Sequence, residues 1–494
     1  MPKKHSSHIH ISLCCLLFLL PLGCSLFPSK NTKSHSEESA ITQGSEPAMI
    51  TQTPVIIPKE DLASSKDNFQ DTTTTVKVQN PLCDVSCLAD NVIARQTRHN
   101  HRKKKPISYN KSSSQEYIST ETPFQLPRGV WISSVNSSVY DSQEEMKHGL
   151  TKIEKLGANG IFPVIWNKQD FYFNSQTVTN NLGEGFIKFT DEGDDILETI
   201  TSLAKTEGLT VYPSIESGLK AVLHQDGDPT LSQLGEIVTN REDWLVLNRQ
   251  GEILKMCHFD VCFGYLNLLQ PDVRMLLLNL VTELVSDYNI DGVLFDDHFS
   301  YPAYSVGCDP LIEKNPELKS RFASWQELNS RLSDLEGCRL FSNKIRQEAI
   351  VSFFKEAKKI TATHGKKLIL SPAGIPSWSK NEWLQDWQLM VEKNYLDGVI
   401  MQVFRDITYR FMANSPELHN IDKHIPLGVV ILLGLKDQHY FAYGERIYRQ
   451  TRTALEIGKS PSYYYHEMID IPVEGYSQDY RNYWIQQTKN ELSQ

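Results

Sequence analysis

The stretch Asp291-Gly-Val-Leu-Phe-Asp-Asp-His-Phe299 indicates the fold, because it has the pattern of a buried strand followed by two adjacent carboxylates and an imidazole. Val293, Leu294 and Phe295 are three apolar residues in a row. Such a run is typical of a strand covered on both faces, as in a parallel sheet with helices outside. Barrels of this kind build their active sites at the carboxyl ends of their strands. The stretch therefore predicts a parallel β/α fold with acids at a strand end.

The same strand pattern recurs along the chain, because short β-branched or aromatic runs alternate with helical stretches from Arg128 onward. This alternation indicates βα units around a parallel sheet. The predicted strands are residues 128–134, 160–166, 209–216, 292–298, 367–373, 398–404, 426–433 and 462–467. Eight units in about 350 residues predict one TIM (β/α)8 barrel with loop insertions. An open doubly wound sheet is the alternative, but it normally carries a glycine-rich turn after its first strand, and residues 134–138 contain no glycine.

Composition divides the 494 residues into three predicted parts. Residues 1–24 hold two lysines, a short apolar run and Gly23-Cys24, which is typical of a signal peptide and too short to span a bilayer. Residues 25–121 are rich in Ser, Thr, Gln, Asn, Lys and Asp. We predict that they form a disordered linker, because they can bury too little apolar surface to offset the conformational entropy lost on folding. Residues 122–494 form the predicted barrel domain, an α/β fold.

The residues before Cys24 resemble a bacterial lipobox, although Pro21 stands where the motif has leucine. We therefore expect a lipid on Cys24 and an exported, membrane-anchored lipoprotein facing the periplasm or at the outer membrane. A soluble secreted protein and a cytoplasmic protein with an apolar start are the alternatives. A linker of about 100 residues has an r.m.s. span of roughly 55 Å, enough to hold a domain out toward the cell wall. The net charge of −10 and the lack of a nucleic-acid motif predict no nucleic-acid partner.

The cysteines are compatible with an exported protein. Of nine, Cys14 and Cys15 would leave with the signal peptide and Cys24 would carry lipid, which leaves an even number, Cys83, Cys87, Cys257, Cys262, Cys308 and Cys338. Disulfides are possible in an oxidising compartment, and Cys308 with Cys338 is the preferred pair, although spacing does not determine connectivity. A zinc site is the alternative, but no pair shows the usual two-residue spacing. We predict no metal and no cofactor.

Polar residues lie at several predicted strand ends. A single acid there commonly caps a helix or forms an ion pair, and Trp166 can simply fill the top of the barrel. Seven or more such residues on one face favour a functional site instead. They are Trp166, Asn167, Glu216, Asp296, Asp297, His298, Gln402, Arg405, Asp406, His466 and Glu467.

Two neighbouring acids suit glycoside cleavage, which needs a proton donor for the leaving oxygen and a group that stabilises positive charge at the anomeric carbon. Adjacent strand residues face opposite sides of a sheet. If Val293 and Phe295 point inward, Asp297 faces the cleft; a shift of one residue turns Asp296 and His298 inward. We predict Asp297 as general acid/base and Asp296 as its partner. Like charges this close raise one pKa, which suits an acid that must keep its proton.

Several stretches match a known pattern; they include Arg128-Gly-Val-Trp131, Pro163-Val-Ile-Trp-Asn167, Asp291-Gly-Val-Leu-Phe-Asp-Asp-His298, Gln402-Val-Phe-Arg-Asp406 and Ile425-Pro-Leu-Gly428. Together they resemble a bacterial glycosyl hydrolase-like family distantly related to the family 10 glycoside hydrolases, with many secreted or lipoprotein members. The resemblance implies a TIM-barrel hydrolase of bacterial glycans, and some members act on peptidoglycan strands stripped of their peptides. It places Asp296 and Asp297 on the acid pair of the family. Residues 371–374 and 268–271 depart from the usual Asn- and Pro-containing forms.

The mechanism stays open between two hypotheses. Retaining glycosidases of the broad barrel clan place a nucleophilic Glu at the end of strand seven, where this chain has Ile431-Leu-Leu-Gly434. One hypothesis is therefore substrate assistance, in which the N-acetyl oxygen of the sugar attacks, Asp296 orients the amide and Asp297 is the acid. The other uses Glu216 or Glu467 as nucleophile or base. For Arg405, pairing with a muramic lactyl carboxylate and bridging to Asp406 are equally open.

Two other functions are weighed against a glycosidase that acts on peptidoglycan glycan strands. The first is a non-catalytic lipoprotein that binds wall glycan; the presence of both acids argues against it, since binding alone needs no proton donor. Its aromatic cleft would consist of Trp166, Tyr172, Trp378 and Trp383. The second is metal-dependent deacetylation. The histidines among its candidate ligands lack a helical or close spacing in the sequence, which argues against it. Those ligands would be Asp297, His298, His258 and His466.

Overall fold

The computed structural model describes residues 124–135, 137–225, 237, 241–248, 250–258, 261–303, 307–403, 416–435, 440–471 and 476–493. The predicted signal peptide with Cys24 and the predicted linker lie outside these residues, as do Arg405 and Asp406. Within the described ranges, no helix combines the length and the apolar character needed to cross a bilayer.

Eight parallel strands close into a barrel. They are β1 (Gly129–Ile132), β2 (Gly160–Asn167), β3 (Thr210–Val211 and Ser214–Ile215), β4 (Gly292–Phe295), β5 (Lys367–Leu370), β6 (Gly398–Gln402), β7 (Leu427–Leu432) and β8 (Ser460–Tyr464). Each strand pairs with the next, and β1 pairs with both β2 and β8, which closes the ring. β3 is split at Pro213, whose nitrogen has no hydrogen to donate to the ladder. The predicted TIM barrel is confirmed, and the open doubly wound sheet is excluded.

A helix follows each strand and covers the outside of the barrel. Several starts have capping side chains: Ser142 accepts a hydrogen bond from the backbone of Glu145, and Asp195 from that of Glu198. The first helix ends at Gly157, whose φ of 80° is the left-handed conformation that glycine adopts readily. The helices are α1 (Gln143–Leu156), α2 (Ile196–Thr206), α3 (Pro271–Asp287), α4 (Asp334–Thr363), α5 (Trp387–Glu392), α6 (Pro416–Asp422), α7 (Gly444–Glu456) and α8 (Gln478–Leu492).

The segments after β2, β3 and β4 are insertions at the carboxyl end of the barrel. The segment after β2 adds a two-residue strand, Asp170–Phe171, and a short helix, Gln176–Asn181. The segment after β3 contains a three-stranded antiparallel sheet, built from Lys220–Gln225, Met256–His258 and Val261–Tyr265. The segment after β4 contains the helices Leu311–Lys314 and Pro316–Leu328. The loops that surround a site in this fold are therefore concentrated over one side of the barrel.

A disulfide and a buried ion pair attach the β4 insertion to the barrel. Cys308 and Cys338 are bonded, with Cα atoms 5.1 Å apart, which confirms the preferred pairing. Arg346 of α4 lies 2.6 Å from the Asp309 carboxylate, and both side chains are 1% exposed. The guanidinium also lies over the ring of Tyr301, 5.9 Å from its centroid. Burial lowers the pKa of Arg346, and the charge of Asp309 opposes that shift.

We expect Arg346→Met to destabilise the fold by about 3–5 kcal/mol, because it leaves the Asp309 carboxylate buried without its counter-charge. Urea unfolding of the full chain measures this. Arg321→Met is the matched control, since Arg321 and Glu348 are also 2.6 Å apart but 42% and 47% exposed. The control should lose no more than about 1 kcal/mol. Equal losses in the two variants would show that burial does not set the strength of the Arg346 pair.

Candidate active site

The acid pair, Asp296 and Asp297, lies in a turn directly after β4, which ends at Phe295. The side-chain amide of Gln402, at the end of β6, donates to Asp296 Oδ1 and lies 3.3 Å from Asp297 Oδ1. The backbone N–H of Asp297 donates to Asp296 Oδ1 at 2.7 Å. Ser300 closes the turn by donating to the carbonyl of Asp297 at 2.6 Å. Two adjacent carboxylates are thus held together at the carboxyl end of the barrel.

Phe295 determines how the turn is oriented. Its ring packs against Phe353 and Phe354 of α4, with centroid distances of 5.5 and 5.3 Å, so it faces the helix layer. The register with Phe295 inward is therefore wrong, and Asp296 follows on the inner side of the barrel. Because the strand has already ended, the turn also brings Asp297 to the Gln402 amide. Strand alternation alone did not predict that both acids share one partner.

Glu216 follows β3 and is almost completely buried. Its negative charge raises the pKa of Asp296, and also contributes to raising the pKa of Tyr140 and of Tyr172, so these groups surround it. The structure therefore brings together the three acids predicted as catalytic. Tyr140 is itself buried, with its hydroxyl 3.0 Å from the carbonyl of Ile132.

The surroundings of Asp296 favour a proton on its carboxyl. Burial raises the pKa of Asp296 well above its usual value, and the charges of Asp297 and Glu216 raise it further. The hydrogen bond from the Asp297 N–H acts in the opposite direction but does not outweigh them. The Gln402 and Asp297 N–H groups both donate to Oδ1, which leaves Oδ2 to carry the proton. The surroundings of Asp296 therefore favour its protonated form.

His298 links the ends of β3 and β4. Its Nδ1 lies 3.0 Å from the carbonyl of Glu216, and because a carbonyl only accepts, Nδ1 carries a hydrogen. Its Nε2 lies 3.7 Å from Asp297 Oδ1. Gly218 makes this approach possible, since its φ is +57° and a Cβ there would lie 2.6 Å from the backbone nitrogen of Phe299. The backbone of Leu219 then donates to the carbonyl of His298 at 3.1 Å.

Trp166 and Asn167 end β2, and both are buried. Trp166 is 1% exposed, its indole stacks on Phe171 at 4.7 Å, and its Nε1 donates to the carbonyl of Lys168. The ring thus fills the top of the barrel, which was the alternative to a substrate-binding role for Trp166. The buried polar atoms that have no hydrogen-bond partner among the described residues include Asn167 Oδ1, Ser371 Oγ and Trp131 Nε1. Ser371, a polar residue at the end of β5 to which no substrate or catalytic role was assigned, has its carbonyl 3.3 Å from the Gln402 amide.

Glu467 lies in a separate ion-pair network. It accepts a hydrogen bond from Ser137 at 2.6 Å, and it pairs with Lys152 of α1 at 3.1 Å and with His466 at 3.3 Å. Burial would raise the pKa of Glu467, but these three partners outweigh it and hold that pKa far below its usual range. Burial lowers the pKa of His466. The network joins the end of β8 to α1, and none of the described contacts of Glu467 is with the acid pair.

The described residues do not form the predicted metal site, and only one of the four aromatic residues predicted for a binding cleft is exposed. Among them, no three His, Cys, Asp or Glu side chains cluster closely enough to hold a metal ion, and the side chain of His258 lies outside this set. Of the four aromatic residues proposed for a binding cleft, Trp378 is 38% exposed, while Trp166 and Trp383 are buried. Tyr172 accepts a hydrogen bond from Ser134 at 2.7 Å.

Several solved glycosidases are similar to this chain in structure. The PgaB (BpsB) glycoside hydrolase domain from Bordetella bronchiseptica is 14% identical with a TM-score of 0.45, over 69% of this chain and 94% of that one. α-L-Fucosidase isoenzyme 2 from Paenibacillus thiaminolyticus is 14% identical with a TM-score of 0.48, over 74% and 49%. The GH36 α-galactosidase AgaA from Geobacillus stearothermophilus is 10% identical with a TM-score of 0.43, over 74% and 42%. This chain therefore spans about half the length of the fucosidase and less than half the length of the galactosidase.

No curated protein matches the sequence significantly. The family model described as glycosyl hydrolase-like 10 matches residues 127–442, which include strands β1 to β7, the acid pair, Glu216 and Gln402. This match covers more than half of the chain and agrees with the resemblance that the motifs indicated. The protein belongs to the glycosyl hydrolase-like 10 family, and it is a glycosidase-like protein with a TIM barrel.

Proposed function

We propose that the protein hydrolyses glycosidic bonds of a bacterial glycan, and that its substrates are peptidoglycan glycan strands containing N-acetyl amino sugars. The observation that carries the proposal is the acid pair, in which Asp296 and Asp297 share the amide of Gln402 at the carboxyl end of the barrel. Membership of a glycosyl hydrolase-like family supports the reaction class. The substrate class rests on the resemblance of the motifs and on the chemistry below.

The acid pair suits the two requirements of glycoside cleavage. A protonated carboxyl can protonate the leaving oxygen while its ionised neighbour stabilises positive charge at the anomeric carbon. The raised pKa of Asp296 supports Asp296 as the preferred position of the proton before substrate binds, a role that the sequence assigned to Asp297.

Substrate assistance is the mechanism that the surroundings of the pair support best. β7 ends at Leu432 and is followed by Leu433 and Gly434, so it provides no nucleophilic carboxylate. Glu467 is already part of the ion-pair network with Lys152. An N-acetyl group next to the scissile bond would provide the attacking oxygen, which is why we propose N-acetyl amino sugars as substrates. Glu216 is the competing nucleophile, and a covalent glycosyl-enzyme trapped on it with a fluorosugar would overturn substrate assistance.

We expect the full chain to release short oligosaccharides from peptide-free peptidoglycan glycan strands, and Asp297→Asn to lose about 10²–10⁴-fold in rate, because the variant lacks one of the two carboxyls that glycoside cleavage needs. Mass spectrometry of the products measures the release, and the reducing-end sugar identifies the bond that is cut. Asp287→Asn is the matched control, since Asp287 is an exposed acid at the last residue of α3. Intact strands with both proteins, together with retention of the protein on the strands, would instead support the non-catalytic binding function.

We expect Asp296→Asn to become more stable relative to wild type as pH rises. The folded-state pKa of Asp296 lies above the unfolded value of about 3.9, so its contribution to stability is complete below that value and is lost as pH rises through the folded-state pKa. Asparagine resembles the protonated acid and has no such dependence. Urea unfolding between pH 4 and pH 8 should show a difference that grows with pH in favour of Asp296→Asn. A difference that is independent of pH would contradict the assignment.

We also propose that the protein is exported and anchored in a membrane by lipid on Cys24. The proposal rests on the sequence before Cys24. The disulfide between Cys308 and Cys338 supports an oxidising compartment, because disulfides are rare in reducing ones.

In a bacterial host fed labelled palmitate, the wild-type chain should carry the label and fractionate with membranes. Cys24→Ser should lose the label, because it removes the predicted acceptor thiol. Cys15→Ser, in the apolar run of the predicted signal peptide, should keep it. An unlabelled wild-type chain in the soluble fraction would contradict the lipid anchor.

A further inference from the structure

A continuous set of aromatic rings lies on the outside of the barrel where α7 and α8 meet. The ring centroids of Tyr443 and Tyr476 are 5.2 Å apart, those of Tyr476 and Tyr480 are 4.7 Å apart, and those of Tyr480 and Trp484 are 6.3 Å apart. Tyr448 and Tyr483 pack against Trp484 at 5.3 and 5.1 Å. We name this set the aromatic ladder; it consists of Tyr443, Tyr448, Tyr476, Tyr480, Tyr483 and Trp484.

Core packing does not account for the aromatic ladder. Tyr443, Tyr476 and Tyr483 are 47%, 45% and 55% exposed. Their neighbours at exposed positions are polar, such as Glu445 and Asp479. A contiguous exposed patch of large rings commonly marks a binding surface.

Buried contacts hold the aromatic ladder in place. A Cβ on Gly444 would lie 2.7 Å from the Cβ of Trp484, so glycine allows α7 and α8 to approach closely. Arg481 of α8 is buried and donates to the carbonyls of Ala442, Met468 and Ile469, the last at 3.0 Å. These bonds tie α8 to the segments that precede both helices. A ligand would meet rings that are already arranged, which lowers the entropy lost on binding.

The aromatic ladder begins at the end of the barrel that holds the acid pair. Tyr443 directly precedes α7, and Tyr476 directly precedes Ser477, the residue that caps α8. Both helices start at the carboxyl ends of strands, which is where Asp296 and Asp297 lie. Tyr480 and Trp484 follow one turn apart on the same face of α8. The rings therefore run from the rim of the site down the outer wall.

We infer that the aromatic ladder is a second glycan-binding surface, which holds the polymer outside the catalytic cleft; the inference rests on the proposed function. Tyrosine and tryptophan present a flat apolar face with a polar edge. That combination matches a sugar ring, whose C–H groups pack on the face and whose hydroxyls bond to the edge and the polar rim. Among the described residues, the exposed large hydrophobic side chains around the starts of α7 and α8 are all tyrosines, so an aliphatic partner or a lipid surface matches this surface less well.

The test is the binding of full-length Asp297→Asn protein to immobilised peptide-free peptidoglycan glycan strands. Adding Tyr443→Ala and Tyr476→Ala should weaken binding about tenfold, the loss expected from two stacked rings. Tyr443→Phe with Tyr476→Phe keeps the rings and should retain most of the affinity. Phe189→Ala, which removes a 46% exposed ring outside the ladder, should bind as its parent does.

Other outcomes would overturn the inference. Unchanged binding by the double alanine variant would do so, as would a parent protein that does not bind the strands. If the double alanine variant differs from its parent only in sedimenting as a monomer instead of a dimer, the occupant of the surface is a second copy of the chain. In the wild-type background, which keeps Asp297, the double alanine variant should cleave long strands more slowly. It should cleave short soluble oligosaccharides at the wild-type rate. If no variant cleaves anything but the alanine pair still loses binding, the proposed hydrolysis fails and the binding surface stands.

Discussion

Two adjacent buried carboxylates can be tolerated only if protons or donors compensate for their charge, and the amide of Gln402 is the group that both share. Asp296 and Asp297 follow β4, whereas Gln402 ends β6, two strands away in the barrel. Closure of the barrel brings these strand ends together. The N–H of Asp297 and a proton on Asp296 compensate for the remaining negative charge. The same interactions therefore affect both the reactivity of the acids and the stability of the site.

The loops around the pair are fixed by backbone contacts rather than by long side chains. The N–H of Ser217 donates to the carbonyl of Trp166, and that of Leu219 donates to the carbonyl of His298, both at 3.1 Å. Gly218 lies between them, where any side chain would meet the turn after β4. This arrangement positions Glu216 beside the acid pair before substrate arrives. Preorganised charge of this kind is a large part of what an enzyme site contributes to catalysis.

The ring of strand-end residues predicted from the sequence divides into groups in the structure. Asp296, Asp297, Glu216, His298 and Gln402 come together, whereas Glu467 pairs with Lys152, a helix residue 315 positions earlier. Trp166 packs on Phe171, which returns beside it in a short antiparallel strand. A sequence shows that a residue follows a strand. It does not show whether a partner elsewhere in the chain turns the side chain outward or covers it.

The sequence by itself determined the barrel and the end of it that carries the acids, because alternating strand and helix patterns are local and parallel strands of a closed barrel all end on one side. It also placed Asp296 and Asp297 at the decisive strand end. Only the tertiary structure decided which way they face, because Phe295 packs on α4 and the strand stops before the pair. The raised pKa of Asp296 likewise depends on burial and on Glu216, 80 residues earlier, which no local pattern contains.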